Sequence, residues 1–435
     1  MNILVHACYI NPNKGSEFSV SWNYVLQMSQ NHHLYVLVGS TTEDLGDYSA
    51  LKNVSIPNVD FIFPDTGRAF KIANWFYHAV LHYAGAWTRY IAYSFWNRHI
   101  YRSLKSNTDL LAKIDLIHFL SPVGWHEIGY LYKLGKPCIW GPVGGFTNCS
   151  KEFYSHYVKT KGRKIALKNF SNAFSALTSR HVRQAMKSYD LVIANTTDTL
   201  RFIEKHYKTK QLVYFPENSM RICESEIKPE SMVGEKYAAL LTGGRIECIW
   251  CGTLEDRKMP GMLLDIAGQL RNKNLIHINI VGGGYLEVYL RSRIESEGLS
   301  DVVSLCGQLP RDEVRSHFAS AHLHLLTSSY EANTTVMFEA MEECVPSFVF
   351  DHFGMADLVK DGKTGRKIPV SDYETMCRSF ATALDEICEK PELLGEWAKN
   401  LREESKQYTA EKRADFFEKC YAMALKDRGE KKKLI

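Results

Sequence analysis

The sequence lacks any run of about 18 consecutive apolar residues, the minimum length of most membrane-spanning helices. Its first six residues, Met1 to His6, turn polar too quickly for a secretory signal. The 11 cysteines are scattered and odd in number, without the spacing of a disulfide framework, which predicts reduced thiols. These absences predict a cytoplasmic protein without a membrane-spanning segment.

A strong excess of charge is also lacking. The formal net charge is +4, which is too small to indicate nucleic-acid binding. Cys248 and Cys251 form a C-x-x-C pair, but they lie in an apolar stretch predicted as a buried strand, and no second ligand pair accompanies them. We therefore expect no metal site there.

What is present is an alternation of short apolar strands and helical patterns, which predicts an α/β fold with two parallel sheets wrapped by helices. At 435 residues the chain can form two domains of roughly 200 residues. We predict an N-terminal domain over 1–215, a C-terminal domain over 216–410, and a helix over 411–435 that packs back on the N-terminal domain. Predicted strands are Ile3–Ala7, Leu34–Val38, Val59–Phe63, Leu116–Phe119, Cys138–Trp140, Leu191–Asn195, Glu247–Cys251, His277–Val281, Val302–Leu305, Leu323–Leu326 and Ser347–Phe350.

Two glutamates eight positions apart, Glu331 and Glu339, flank a predicted strand-to-helix turn. The helix opens at Thr334 and Thr335, where free backbone N–H groups and the helix dipole favour an anion. Ionised carboxylates on either side are strong acceptors for sugar hydroxyls. A capped surface helix with solvated glutamates is the alternative that this motif alone leaves open.

Other loops also follow the carboxyl ends of strands in the two predicted domains, and we expect them along one cleft, since ligands of parallel sheets bind beyond these ends. Gly15 lets a ligand approach the backbone after the first strand. Arg257 and Lys258 follow a later strand and could neutralise a diphosphate, although a solvated basic turn is the alternative. Gly283 lies in a glycine turn that is not a complete dinucleotide fingerprint.

These residues resemble family 4 of the retaining glycosyltransferases, which have the GT-B fold of two facing Rossmann-like domains with a central cleft. The Glu331–Glu339 pair resembles the E-x7-E motif of that family, and the resemblance runs through most of the chain. The segments 14–17, 140–145 and 351–357 are similar to a bacterial subgroup that makes surface polysaccharides.

The resemblance implies a role for each matching residue on the donor side. Glu339 would hold the ribose hydroxyls of a nucleotide-sugar, and Glu331 would contact the transferred sugar. Lys258 would bind the diphosphate, and Gly15 would approach the donor from the N-terminal domain. The backbone that would cradle the diphosphate belongs to Thr334, Thr335 and Val336.

Two positions carry alternatives. His118 lies where the family often has a histidine near the reacting sugar, but a buried structural histidine is equally consistent with its strand. Thr253 stands where the family usually has a phosphate-binding arginine, a loss for which Arg257 could compensate.

The implied function is the retaining transfer of a sugar from a UDP- or GDP-linked donor to a glycan or polyprenyl-diphosphate-linked acceptor. The nucleotide-sugar is a substrate, and we expect no cofactor. The chain contains no Asp-x-Asp, which agrees with a metal-independent enzyme. A nucleotide-sugar epimerase and a non-catalytic glycan- or partner-binding scaffold remain alternatives.

Aromatic and basic residues are concentrated in two stretches, 70–102 and 151–187. Aromatic rings interspersed with Lys and Arg suit an anionic membrane surface, which predicts peripheral association with the inner face of the plasma membrane. A core helix and a solvated basic loop are the alternative. No recognised nucleic-acid module accompanies them.

Overall fold

The computed structural model describes residues 1–15, 17–40, 48–80 and 86–432. The chain forms two compact units. The first contains Met1–Thr147, Ser175–Glu217 and Arg413–Ile435, and the second contains Asn148–Phe174 and Asn218–Lys412. The division differs from the predicted domains at 148–174, a segment that packs with the second unit.

The first unit is built on a seven-stranded sheet in which all paired strands are parallel, in the order β3-β2-β1-β4-β5-β6-β7. Every residue of β4 and β5 is buried, as expected for a parallel sheet that is covered on both faces. The strands are β1 Asn2–Ala7, β2 His33–Leu37, β3 Val59–Ile62, β4 Leu116–Ser121, β5 Cys138–Val143, β6 Leu191–Ala194 and β7 Leu212–Tyr214.

The second unit is built on a six-stranded parallel sheet in the order β10-β9-β8-β11-β12-β13. This order matches the Rossmann arrangement, in which the sheet grows outward in two directions from a central pair of strands. The strands are β8 Ile246–Cys251, β9 Ile276–Val281, β10 Val303–Gly307, β11 Leu323–Leu326, β12 Ser347–Phe350 and β13 Gly365–Ile368.

Helices connect the strands. In chain order they are α1 Glu17–Met28, α2 Arg68–Trp75, α3 Ala86–Ser106, α4 Thr108–Lys113, α5 Lys151–Tyr154, α6 Gly162–Thr178, α7 Arg180–Ser188, α8 Thr197–His206, α9 Glu230–Ala238, α10 Pro260–Gln269, α11 Glu287–Ser296, α12 Arg311–Ser320, α13 Thr335–Glu342, α14 Phe353–Leu358, α15 Tyr373–Glu389, α16 Glu392–Ser405 and α17 Ala410–Lys432. The α/β class predicted from the alternation is confirmed.

The last helix, α17, completes the core of the first unit. Phe417 and Tyr421 are fully buried and pack in the same apolar cluster as Val5 and Leu34 of the central strands. The residues 413–435 therefore belong physically to the N-terminal sheet, although the chain passes through the second unit before it reaches them.

The aromatic stretch 70–102 is divided between core and surface. Tyr93 and Trp96 of α3 are buried in the core of the first unit, whereas Trp75 and Phe76 are exposed. Residues 81–85 of the stretch lie outside the described part of the chain. Among the described residues, no helix is both long enough and apolar enough to cross a membrane.

Candidate active site

The candidate site lies where the strand order of the second sheet reverses, between β8 and β11. The loops that leave the carboxyl ends of these two strands are 252–258 and 327–334. Loops at such a reversal diverge to opposite faces of the sheet and leave a crevice between them, which is where ligands of open α/β sheets bind.

Lys258, Arg257 and Glu331 meet in this crevice. The Lys258 Nζ atom lies 2.5 Å from the Glu331 carboxylate, and the Arg257 guanidinium donates to the same carboxylate oxygen. Arg257 also donates to Glu255 at 2.7 Å from Nη2 and to the Tyr330 carbonyl at 3.0 Å. Lys258 is only 7% exposed, so the cation that the family resemblance singles out is buried and not a solvated turn residue.

The loop after β11 fixes the turn that carries the two cations. The Thr327 hydroxyl donates to the carbonyls of Lys258 and Met259 at 3.0 and 3.1 Å. The Ser329 N–H and hydroxyl both donate to the Arg257 carbonyl at 2.9 Å. The two loops are therefore one hydrogen-bonded unit, and the ends of β8 and β11 position Lys258 and Glu331 together.

Lys258 keeps capacity for an anion in this arrangement. A lysine ammonium has three N–H donors, and the ion pair with Glu331 uses one direction only. A phosphate oxygen could therefore bind beside Glu331 without breaking the pair. The arrangement can hold an anionic group between a buried ammonium and an exposed guanidinium edge.

The helix α13 begins at Thr335, four residues after Glu331 in the chain. Thr334 is the N-cap residue with extended backbone, but its side chain does not cap the helix. The first N–H groups of an α-helix, here those around Thr335 and Val336, have no partner within the helix and carry its positive dipole end. The role of these N–H groups as a diphosphate cradle, which the resemblance implies, stays a prediction.

Glu339 lies on the second turn of α13 and is partly exposed. Its Oε1 atom lies 3.5 Å from the Arg221 guanidinium. Burial raises the pKa of Glu339, while the charge of Arg311 opposes the shift. The next turn holds Glu342, whose pKa is raised to about 7 by burial and by repulsion from Glu339.

Gly283 and Thr253 lie on neighbouring loops of the same unit. The Gly283 N–H donates to the Gln308 side chain at 3.2 Å, and its carbonyl accepts from the Leu254 N–H at 3.0 Å. A Cβ on the preceding Gly282 would lie 1.9 Å from the Gly252 carbonyl oxygen, so the close approach of these loops requires glycine. Thr253 is exposed, whereas Arg257 supplies the second cation beside Lys258.

Gly15 and His118 belong to the first unit. Gly15 is exposed, and a Cβ there would meet no atom within 4 Å. His118 is fully buried in β4: its Nε2 atom lies 2.7 Å from the Gly141 carbonyl, and its Nδ1 atom lies 2.9 Å from the Tyr24 hydroxyl. Burial lowers the pKa of His118 to about 4, so the ring is neutral, and both of its nitrogens form internal hydrogen bonds. This geometry favours the structural alternative for His118.

Sequence patterns missed two residues that shape the site. Arg221, the ion partner of Glu339, lies in irregular chain before α9, where no periodicity or spacing signals its position. Asp256 is buried directly before the two predicted cations in the chain and accepts hydrogen bonds from the backbone of 158–160. Its position inside the Glu255–Lys258 turn was the only available signal.

The comparisons with known proteins bear on this second unit. Residues 238–408 match the glycosyl transferases group 1 family. This matched stretch is less than half of the chain. It contains β8 to β13 and therefore both loops of the candidate site. The narrower assignment to family 4 stays a prediction.

Among curated relatives, a putative colanic acid biosynthesis glycosyltransferase, WcaL, of Salmonella typhimurium is 28% identical over 146 residues, 32% of this chain and 36% of that protein. The chain thus spans about a third of the length of this relative. Solved structures cover far more of the chain. Anabaena HepE in complex with UDP aligns over 100% of both chains with a TM-score of 0.58 at 14% identity. WaaG, a glycosyltransferase involved in lipopolysaccharide biosynthesis, aligns over 95% of this chain and 99% of its own with a TM-score of 0.57 at 15% identity.

At these identities the solved structures establish the fold, which is GT-B, and not the substrate. The predicted fold class is confirmed by these alignments and by the two Rossmann-like sheets.

Proposed function

We propose that this protein is a glycosyltransferase that moves a sugar from a nucleotide-diphosphate donor to a glycan acceptor during the synthesis of a surface polysaccharide. The observation that carries the proposal is the meeting of Lys258, Arg257 and Glu331 at the strand-order reversal, next to the uncapped start of α13. The match of residues 238–408 to the glycosyl transferases group 1 family and the polysaccharide pathway named for the relative WcaL support it.

The chemistry proposed for the site is stabilisation of a leaving diphosphate. Cleavage of the bond between sugar and phosphate builds negative charge on the phosphate oxygens. Fixed positive groups that are already oriented stabilise such charge without reorganisation. Lys258, Arg257 and the first N–H groups of α13 supply them, so the proposed reaction is metal-independent and uses no cofactor.

Transfer with retained configuration follows if the acceptor hydroxyl attacks from the side of the departing diphosphate, with a phosphate oxygen as its base. Glu331 is less suited to form a covalent intermediate, because the oxygen that would attack is held by two cations. We assign Glu331 to the hydroxyls of the transferred sugar and Glu339 to the ribose, since ionised carboxylates are strong acceptors.

The experiment that tests the proposal is a thermal-shift screen against UDP, GDP and ADP and their sugar conjugates, with and without EDTA. A ligand at about 100 times its dissociation constant stabilises the fold by roughly 2.7 kcal/mol. We expect a shift with UDP or GDP that is insensitive to EDTA, is lost in Glu339→Ala, and is kept in Glu374→Ala, whose side chain is exposed on α15. The absence of any shift with all three nucleotides would contradict the proposal.

An epimerase would act on the donor alone, without an acceptor. Incubation of the donor identified above with the protein, followed by separation of the sugar products, distinguishes the two activities. We expect unchanged donor without acceptor. The scaffold alternative depended on the missing arginine at Thr253. Arg257, beside Glu331, supplies a cation at the same end of the sheet, which weakens that alternative.

The acceptor is proposed to be lipid-linked, with α6 as the contact to an anionic membrane at the inner face of the plasma membrane. One face of this helix exposes four large apolar side chains, and Arg163, Lys164 and Lys168 are exposed beside it. An amphipathic helix with such a face binds membrane interfaces through apolar burial and attraction to anionic lipid. The apolar residues are Leu167, Phe170, Phe174 and Leu177.

Cosedimentation with vesicles of neutral lipid, with and without phosphatidylglycerol, tests this contact. We expect salt-sensitive binding to the anionic vesicles that the double variant Phe170→Ser, Phe174→Ser loses. The control is Val288→Ser on α11, because Val288 is the most exposed large apolar residue described, at 82%. Equal binding of both variants would mean that the α6 face does not contact lipid.

A further inference from the structure

The turn that carries Arg257 and Lys258 is tied to a distant segment of the chain by Asp256. The Asp256 carboxylate accepts three consecutive backbone N–H groups, those of Val158 at 2.7 Å, Lys159 at 3.1 Å and Thr160 at 2.6 Å. Asp256 is 4% exposed, and its own N–H donates to the Tyr285 hydroxyl at 2.8 Å. Three fixed backbone N–H donors thus take the place of the water that would otherwise solvate this carboxylate.

The carboxylate stays ionised in this position. Burial by itself raises the pKa of Asp256, but hydrogen bonds from the Thr160 side chain and from the backbone of 158–160 outweigh it, and the net pKa is lowered. Hydrogen bonds to an ionised acceptor are roughly twice as strong as neutral ones. The link between the two segments is therefore strong and depends on the charge.

A second link joins the same segment to the loop of Glu331. The Tyr157 and Ser329 hydroxyls are hydrogen-bonded, and Ser329 in turn donates to the Arg257 carbonyl at 2.9 Å. The Phe153 ring packs against the rings of Phe350 and His352 at centroid distances of 5.1 and 5.0 Å. The segment 153–160 therefore contacts both loops that hold the Lys258–Glu331 pair.

We infer that Asp256 is a positioning residue for Lys258, and that the loop 158–160 is the support that fixes the phosphate-binding turn. Lys258 lies two residues beyond Asp256 in the same helical turn, so a shift of the carboxylate moves the Lys258 backbone. This inference rests on the proposed function. It assigns to Asp256, which touches no substrate, the role of fixing the position of the buried Lys258 ammonium.

Loss of the contact between Asp256 and 158–160 is expected to affect binding of the diphosphate group in particular. Lys258 and the first N–H groups of α13 are proposed to hold phosphate, whereas Glu339, one turn further along α13, is proposed to hold ribose. Loss of the Asp256 link should thus weaken a nucleoside diphosphate more than the matching monophosphate. A general loss of folding would weaken both together, so the ratio of the two affinities separates positioning from stability.

The test is calorimetric titration of UDP against UMP, and of GDP against GMP, into wild type, Asp256→Asn and Lys258→Ala. We expect both variants to lose about tenfold or more of the preference for diphosphate, in line with the removal of a preorganised charge. With donor sugar and acceptor, Asp256→Asn should lower kcat more than it raises KM. Asp385→Asn is the matched control, because Asp385 is also a buried carboxylate that accepts backbone N–H groups, from Arg271 and Asn272.

Tyr157→Phe provides a milder variant that removes only the hydroxyl and tests the second link should Asp256→Asn fold poorly. We expect it to reduce the preference for diphosphate by about threefold. A wild-type preference in Asp256→Asn and Tyr157→Phe, together with its loss in Lys258→Ala, would overturn the inference and leave the proposed function intact. Wild type that binds neither nucleotide would overturn the proposed function and this inference with it.

Discussion

The buried Lys258 ammonium pairs with Glu331 and with no other carboxylate in the described part of the chain, so its removal is informative. Lys258→Ala should lower turnover by about 100-fold or more, because a preorganised charge at the leaving group is lost. Stability should change little, since Arg257 still neutralises Glu331. Steady-state kinetics at saturating donor measure the effect.

Lys228 supplies the control for that prediction. It is also an ion-paired lysine of the second unit, but its partner is Glu343 and not Glu331. Lys228→Ala should therefore retain turnover. Equal turnover of Lys258→Ala and wild type would remove Lys258 from the leaving-group role.

Glu342 makes the stability of the second unit depend on pH. Its pKa rises from 4.5 to about 7 in the fold, because burial and Glu339 disfavour the charge. The folded state then binds a proton that the unfolded state has lost, so the free energy of unfolding decreases as pH rises from about 4.5 to about 7. Glu342→Gln keeps an acceptor for the Arg221 N–H. It should raise the free energy of unfolding at pH 8 by about 1 to 3 kcal/mol.

Denaturant unfolding at pH 5 and pH 8 measures this effect, with a smaller pH difference expected in Glu342→Gln than in wild type. Glu343→Gln should act in the opposite direction. Glu343 is buried and paired with Lys228 and Arg315, so its neutralisation leaves cations without their partner. A destabilised Glu342→Gln at pH 8 would contradict the assignment.

At the scale of elements, the buried position of His118 in β4 lowers its pKa and places both ring nitrogens in hydrogen bonds. In β4 it bonds Gly141 on the neighbouring strand and Tyr24 on α1. His118→Phe removes the side-chain donor to the buried Gly141 carbonyl and leaves the Tyr24 hydroxyl bonded to Tyr421, which should destabilise the fold by roughly 1 to 3 kcal/mol. Turnover measured well below the melting temperature should stay within about threefold of wild type, because the ring lies in the core.

His6→Phe is the matched control in the adjacent strand. His6 is equally buried, but among the described residues its side chain makes one hydrogen bond, to the Ser121 carbonyl at 2.7 Å, so its replacement should cost less stability. A loss of turnover of 100-fold or more in His118→Phe, with an unchanged melting temperature, would instead support the catalytic role that the resemblance implied.

Most strands could be predicted from the sequence because buried parallel strands are nearly continuous apolar runs. The predictions for β1 to β6 and β8 to β12 agree with the structure within a few residues. The strands β7 and β13 were not predicted. Both lie at the edge of a sheet, where Leu212–Tyr214 is short and half-buried and Gly365–Ile368 is half polar, so neither carries a clear pattern.

The site could be predicted where chain topology alone brings residues together. Parallel strands place Lys258 and Glu331 at one edge of the sheet, and the structure pairs them. The contact of Asp256 with 158–160 could not be predicted, since it depends on backbone N–H groups of an irregular loop about 100 residues earlier, for which side-chain patterns carry no signal. Arg221 beside Glu339 was missed for the same reason.

At the scale of the whole molecule, each unit is completed by a segment that is distant in sequence. The second unit takes Asn148–Phe174 from the first half of the chain, and the first unit takes Arg413–Ile435 from its end. Neither unit is a continuous stretch, and the first unit cannot complete its core until the whole second unit has been synthesised. The sequence pattern favours one join near residue 215 and a returning helix over 411–435, but it does not signal that 148–174 belongs to the second unit.

The contribution of α17 to the first unit leads to the last prediction. Phe417 is fully buried against Tyr24 and His118, whereas Met423 on the same helix is 37% exposed. Phe417→Ala should destabilise the first unit by about 3 to 5 kcal/mol, because it removes a large core side chain and leaves a cavity, and Met423→Ala should cost well under about 1 kcal/mol. Native-state hydrogen exchange should show the amides of β1, β2 and β4 exchanging faster in Phe417→Ala, while those of β8, β9 and β11 keep their protection. Equal acceleration in both sheets would mean that the two units unfold as one cooperative body and that α17 stabilises the molecule as a whole.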